Sequence, residues 1–358
     1  MKIFKEEIRA LIQAAYTAQE LKERDMNITL RHFGWDGKGG CSLQQTGDEY
    51  QLTRERVRQI SNSFTKPLLP LAEAHLSSLQ GLLAEIDTLA PARADRVEAK
   101  LKSSGLGDDR IEGVLRAAAV FSGAGSQHRV VEENGVRYLI LPGMEGTSLK
   151  VIAHAQKVCS HLGMVNIDDL LYLLPGIPKE QAINYLRDVL ETRADKVWLD
   201  QGKTWLWLKN SPRNRLITCL DKMIGVFSST TLDGVLVGAN RYFHKGKSRN
   251  SELRAPDSIL SAFISAWGKA TVSPLGVVRK TAGFKQQSKV LELEASILEV
   301  INAKPEKIAR EKELENSIVP VIDGITHAKK YRFSNALNYS PLIRKGEKRG
   351  EYVVNGLI

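Results

Sequence analysis

The sequence predicts a mainly α protein with small β-hairpin wings. An N-terminal helix-turn-helix domain over residues 1–70 precedes four winged-helix-like modules at 71–145, 146–210, 211–285 and 286–358. Three observations carry this. The chain has 358 residues, too many for one domain at about 150 residues per domain. Most of it shows apolar residues at helical spacing. Short alternating runs joined by turn residues recur after blocks of helical pattern, which is the layout of three helices with a hairpin beside the last.

In chain order, Ile8, Leu11, Ile12, Ala15 and Leu21 fall near helical spacing, and a short helix is expected from Asn27 to Phe33. Gly34 to Gly40 is a breaker. Two short helices follow, Leu43 to Tyr50 and Thr53 to about Phe64, with Gln51-Leu52 as a tight connection. Pro67 and Pro70 then punctuate the chain. The first repeat has a helix at Arg110 to Val120 and a hairpin over His128 to Leu141, where Asn134-Gly135 is a strong turn signal. The second has helices at Leu149 to His161, Ile167 to Leu174 and Lys179 to Leu190, then a hairpin from Lys196 to Leu208. The third, from about Pro212 to Lys280, has helices at Arg213 to Ile224, Leu232 to Phe243 and Pro256 to Trp267. The fourth, from about Val290, ends in strand, basic turn and strand over Tyr339 to Val354.

Composition narrows the classes of function. Basic residues number 51 against 41 acidic ones, a formal charge of +10 that favours a polyanionic partner. With 42% apolar residues the chain is globular rather than disordered. No apolar run is long enough to span a bilayer, so no membrane association is expected. The start turns charged before any apolar run forms, so no secretory signal is expected. Cys41, Cys159 and Cys219 are odd in number and scattered, which fits a reducing cytosol.

The informative segment is Thr53-Arg54-Glu55-Arg56-Val57-Arg58-Gln59-Ile60. As a helix it begins with Thr53, a favoured N-cap. Val57, Ile60 and Phe64 face inward together, and Arg54, Glu55, Arg58 and Gln59 project from the other side. Those side chains suit base edges: Arg pairs with guanine O6 and N7, Gln with adenine N6 and N7, and Glu accepts from cytosine N4. The preceding helix and turn complete a helix-turn-helix, whose second helix enters the major groove.

Arg31-His32-Phe33-Gly34-Trp35-Asp36-Gly37, then Ser42 to Leu52, then Thr53 to Ile60, resembles region 4 of the bacterial primary-type sigma factors. The likeness covers about residues 28 to 65. It implies that Arg54, Glu55 and Gln59 read bases, and that Arg56 and Arg58 lie near phosphates or support the fold. It implies a bacterial cytoplasmic, nucleoid-associated protein whose partner is double-stranded DNA. The family's basic tail after the recognition helix is replaced here by Ser61 to Pro67, and no counterpart of the sigma domain that melts promoter DNA is present. The expected function is sequence-selective DNA binding, as in transcriptional regulation. The alternative is an adaptor that binds RNA polymerase or a mobile-element or phage-defence complex.

Other segments carry weaker signals. Arg241 to Asn250 is basic with two aromatics, either a phosphate-tracking loop or a solvated connection. Arg344 to Arg349 is a basic hairpin tip, either a phosphate contact or an ordinary soluble turn. Trp198, Trp205 and Trp207 are expected to pack on helices rather than stack bases. His154, Cys159 and His161 are expected in a structural helix rather than at a metal. Asp108-Asp109 and Asp168-Asp169 are expected to cap the helices that follow. Gly34 to Gly40 lacks the Gly-Lys-Ser/Thr ending of a phosphate loop. No catalytic constellation is found, so neither enzyme activity nor a cofactor is expected.

Overall fold

The structure is a computed structural model that describes residues 3–16, 22–122, 127–244 and 252–358. It is mainly helical, with four three-stranded antiparallel sheets among the described residues. Leu21 and residues 245–250 of the basic stretch lie outside the described residues.

The N-terminal part is α1 (Phe4–Ala15), α2 (Glu23–Phe33), α3 (Leu43–Tyr50) and α4 (Arg54–Thr65). A 3-10 segment, Lys66–Leu71, leads into the short α5 (Ala72–His75). Helix α2 begins four residues before the expected Asn27, because polar residues fill its first turn and leave no apolar periodicity to see. Its end is set by Gly34, whose left-handed conformation (φ 76°) caps the helix. Helix α3 spans the expected residues. Ser42 caps it by accepting from the Gln45 amide at 3.2 Å, and the Gln45 side chain returns to the Ser42 amide at 3.0 Å.

One order of elements then recurs four times: helix, short strand, helix, helix, hairpin. The first set is α6 (Leu79–Leu89), β1 (Ala92–Arg93), α7 (Ala94–Leu101), α8 (Ile111–Phe121), β2 (Arg129–Glu133) and β3 (Val136–Ile140). The second is α9 (Thr147–Leu162), β4 (Val165–Asn166), a 3-10 helix at Ile167–Leu173, α10 (Lys179–Glu191), β5 (Lys196–Trp198) and β6 (Trp205–Leu208). The third is α11 (Arg215–Val226), β7 (Thr230–Thr231), α12 (Leu232–Phe243), α13 (Asp257–Trp267), β8 (Ala270–Val272) and β9 (Val277–Lys280). The fourth is α14 (Glu292–Asn302), β10 (Ile308–Arg310), α15 (Glu311–Ile318), α16 (Thr326–Tyr339), β11 (Ile343–Lys345) and β12 (Glu351–Val354). In each sheet the short leading strand pairs with the last strand of the hairpin, giving orders β1-β3-β2, β4-β6-β5, β7-β9-β8 and β10-β12-β11.

The leading strands have no signal in the sequence. Two or three residues cannot show alternation, and their pairing partners lie some 40 residues or more downstream, as in Ala92 with Leu139 and Ile308 with Val353. The hairpin β8–β9 is likewise beyond the sequence pattern, since its turn at Ser273 to Gly276 follows only a three-residue strand. The Asn134-Gly135 turn is as expected. Both residues have positive φ, 52° and 73°, and join β2 to β3.

The described chain divides into two compact units, residues 1–151 with 171–192, and residues 152–170 with 193–358. The second repeat is thus shared: α10 belongs to the first unit and its sheet to the second. Within the first unit α10 packs on β1. The Arg93 amide donates to Asp188 at 3.0 Å, the Arg96 guanidinium also reaches Asp188, and Tyr185 meets Tyr138 edge-on. In the second unit Trp207 is buried against Phe263 at 4.9 Å, while Trp205 packs half-buried on the same core. Cys159 and Cys219 are buried too, and burial pushes the Cys159 thiol up to about 12.

Asp108 and Asp109 do not cap the helix that follows them. Arg110, not Asp109, is the N-cap of α8, and it makes no side-chain cap. Asp108 pairs with Lys102, and Asp109 lies 3.7 Å from Lys5. Asp168 and Asp169 lie inside the first turn of their 3-10 helix, where Asn166 accepts from the Asp168 amide at 2.9 Å. The segment Ile167–Leu173 is 3-10 rather than α. No group of three or more His, Cys, Asp or Glu able to hold a metal occurs among the described residues. No helix of them is long and apolar enough to cross a membrane.

Candidate nucleic-acid interface

Helices α3 and α4 are joined by three residues, and the sequence enforces a tight turn. Gln51 adopts the left-handed conformation (φ 56°), and the Leu52 amide bonds the Gly47 carbonyl at 2.8 Å. Gly47 sits where the returning chain crosses α3. A Cβ there would lie 2.5 Å from the Leu52 oxygen, so no larger residue fits without opening the turn. Thr53 then starts α4 by accepting from the Arg56 amide at 3.2 Å.

A small cluster fixes the roll of α4. Val57 (0% exposed) and Ile60 (7%) pack with Ile28 of α2 (0%), and Leu43, Tyr50 and Leu52 close its edges. Phe64 points inward one turn later and stacks on Tyr16 at 4.9 Å, where the Tyr16 hydroxyl donates to the Phe64 carbonyl at 3.0 Å. With that face inside, Arg54, Glu55, Arg56, Arg58 and Gln59 are all exposed, as is Thr53 at the cap. The six expected site residues therefore lie together on one helix and its leading turn, all at the surface.

The outer face has its own order. The Arg58 Nε donates to a Glu55 carboxylate oxygen at 2.8 Å, and the Gln59 amide donates to the other at 3.3 Å. Arg58 holds the Glu55 carboxyl below its ordinary value, chiefly through that hydrogen bond. Both groups are in full contact with water, so the pair is weak and easily exchanged for another partner. Arg56 reaches the Gln59 carbonyl at 3.5 Å, and Arg54 extends from the first turn. The motif in the sequence carries the polar stripe only to Gln59. The structure extends it through Asn62, Ser63 and Lys66, all exposed, while Ser61 and Thr65 turn inward. The tail after Ile60 thus still contributes surface, through hydrogen-bonding groups and one lysine.

What holds this pair in place is not apparent from the sequence motif. The Gly34 to Gly40 loop is a clamp onto α8. Trp35 is buried, donates its indole N–H to the Gly113 carbonyl at 3.1 Å, and stacks between Phe33 and Phe121. The Arg116 guanidinium bonds the His32 carbonyl and the Cys41 carbonyl, closing the two ends of the loop. His32 Nδ1 donates to the same Cys41 oxygen at 3.0 Å. Burial and the Arg116 charge lower the His32 pKa from its ordinary value. The available signal is Gly113, a glycine inside a helical run. A Cβ there would meet the Gly34 oxygen at 2.8 Å.

Comparison with known proteins gives no likeness to draw on: no family profile, characterised protein or solved structure matches the chain.

Proposed function

We propose that the chain is a sequence-selective double-stranded DNA-binding protein, a transcriptional regulator of the bacterial cytoplasm. In it, α3, the turn and α4 act as a helix-turn-helix and α4 enters the major groove. The observation that carries this is the partition of α4, with Val57, Ile60 and Phe64 sunk in the core and Arg54, Glu55, Arg58 and Gln59 exposed on the surface. That face mixes donors and acceptors, which telling one base pair from another requires. On this reading the order helix, strand, helix, helix, hairpin makes the four repeats winged-helix modules.

The mechanism follows from the side chains. Arg54 and Gln59 offer paired donors and acceptors to guanine and adenine edges. Glu55 is freed when Arg58 exchanges it for a phosphate, a small step for an exposed pair. Removing either bidentate side chain should cost about 1–3 kcal/mol of discrimination. The test is competition binding with the Arg54→Ala/Gln59→Ala protein. Its preference between a selected site and random duplex should flatten while weak general binding persists. An unchanged preference, or capture of RNA polymerase without any DNA affinity, would overturn the reading in favour of an adaptor.

A further inference from the structure

The four repeats share one topology but not one surface. In the first, the hairpin tip is acidic and neutral, Glu132 to Gly135. In the second it is Asp200 to Lys203, with the Asp200 carboxylate spent on the Thr204 and Trp205 amides. In the third it ends in Leu275, 91% exposed. The third helices differ likewise. Helix α8 is largely buried, and α13 exposes an acid and small residues.

The fourth repeat stands apart. Helix α16 contains no acidic residue, and Lys330, Tyr331 and Arg332 are exposed on it. Its hairpin tip presents Arg344, Lys345, Lys348 and Arg349, all exposed. Lys330 is paired with Glu315 at 3.0 Å, but none of these four tip cations has a carboxylate partner among the described residues. Glu347 is the one exposed acid between them, and the Glu351 carboxylate is turned to the Lys348 amide.

The cations also line two grooves. One groove of about 590 Å³ runs between the last turn of α16 and β11, lined by Asn338, Tyr339, Arg344 and Lys345. A second, of about 630 Å³, is lined by five cations, Lys345, Lys348, Arg349, Arg310 and Lys312, and two acids, Glu311 and Glu347. Lys345 is common to both.

We propose that this surface, the β11–β12 tip with the adjoining grooves, is a second nucleic-acid contact that grips the phosphodiester backbone of duplex DNA. It goes beyond the reading of α4 and does not depend on it. The tip has cations but few acceptors, so it suits phosphates and carries little base information. A duplex is favoured over a single strand because residues 343–351 include no aromatic ring for a base to stack on; Tyr352 is only 5% exposed, and Tyr339 beside the first groove is half-buried. A membrane surface is disfavoured because residues 344–350 include no apolar side chain to insert.

The test uses the full chain and a 40-base-pair duplex of random sequence, followed by anisotropy at stepped salt. The Lys345→Gln/Lys348→Gln/Arg349→Gln protein should bind more weakly. Its slope of log affinity against log salt should be shallower by about 2.7, three phosphates at ~0.9 each. Its ranking of different sequences should equal that of the parent. Lysine-to-arginine changes at positions 345 and 348 should restore the slope, which a folding defect would not allow. Arg54→Ala/Gln59→Ala should instead change the ranking. If only the slope responds to mutation, the α4 reading fails and this one stands. An unchanged slope in the triple variant overturns the proposal, as does a loss confined to single-stranded RNA or anionic vesicles.

Discussion

Helix α4 in the first unit and the β11–β12 tip in the second are both basic and exposed, yet their chemistry differs. On α4 the arginines sit among Glu55, Gln59 and Asn62, and the acid is already hydrogen-bonded by Arg58 and Gln59. At the tip Arg344, Lys345, Lys348 and Arg349 have no carboxylate partner among the described residues. Mixed donors and acceptors can discriminate one base pair from another, whereas bare cations can only count phosphates. Charge alone would have ranked the two surfaces as equals. Partnering separates them, and on the proposed reading selectivity belongs to one and salt-dependent affinity to the other.

The comparison can be broken first from beneath. Ile28→Ala removes a fully buried side chain from the small cluster under α4. It should cost about 2–5 kcal/mol in denaturant unfolding. Sequence preference should vanish with it, while the tip keeps its salt-dependent binding. A chain that unfolds as the parent does and still selects sites would show that α4 is not the reader.

A smaller effect sharpens the same point. Thr53→Ala deletes the cap of α4 and should cost ~1 kcal/mol. Preference should weaken while the salt slope stays as it was, because no cation is removed. A change in slope with constant preference would contradict that division.

The smallest effect is on pH. Burial lowers the pKa of His32, His128 and His161 in the folded state. Below the ordinary histidine value the unfolded chain then takes up more protons than the folded one, so stability falls as pH falls. Melting temperature should drop between pH 7.5 and pH 5.5. His32→Gln should flatten that drop for the first unit, where His32 closes the loop that carries α3 and α4. A melting temperature that rises on acidification would contradict the burial of these rings.

Some of this is legible in the sequence and some is not, for physical reasons. Helices α3, α4 and α12 can be read almost to the residue, because a cap or turn residue abuts a run with clear periodicity, as at Ser42, Gln51 and Thr53. The outward position of Arg54, Glu55, Arg58 and Gln59 follows from the same periodicity. What stays hidden depends on distant partners. Strands β1, β4, β7 and β10 exist only because a hairpin edge waits for them. The clamp of Trp35 on Gly113 joins residues 78 apart. Asp109 gives up its expected capping role to an amine from α1, Lys5. The tip at 344–349 is visible as a basic turn, but its unpaired state needs the neighbours to be placed.

The central proposal is that the outer face of α4 touches base edges in the major groove. Dimethyl sulfate interference on a duplex selected by the parent chain tests it most directly, since the reagent methylates guanine N7 on that side. Methylation of one guanine should block the parent and should matter no longer to the Arg54→Ala protein, whose affinity is already reduced. If the two proteins show the same interference pattern, or if no base methylation interferes with either, α4 does not read DNA.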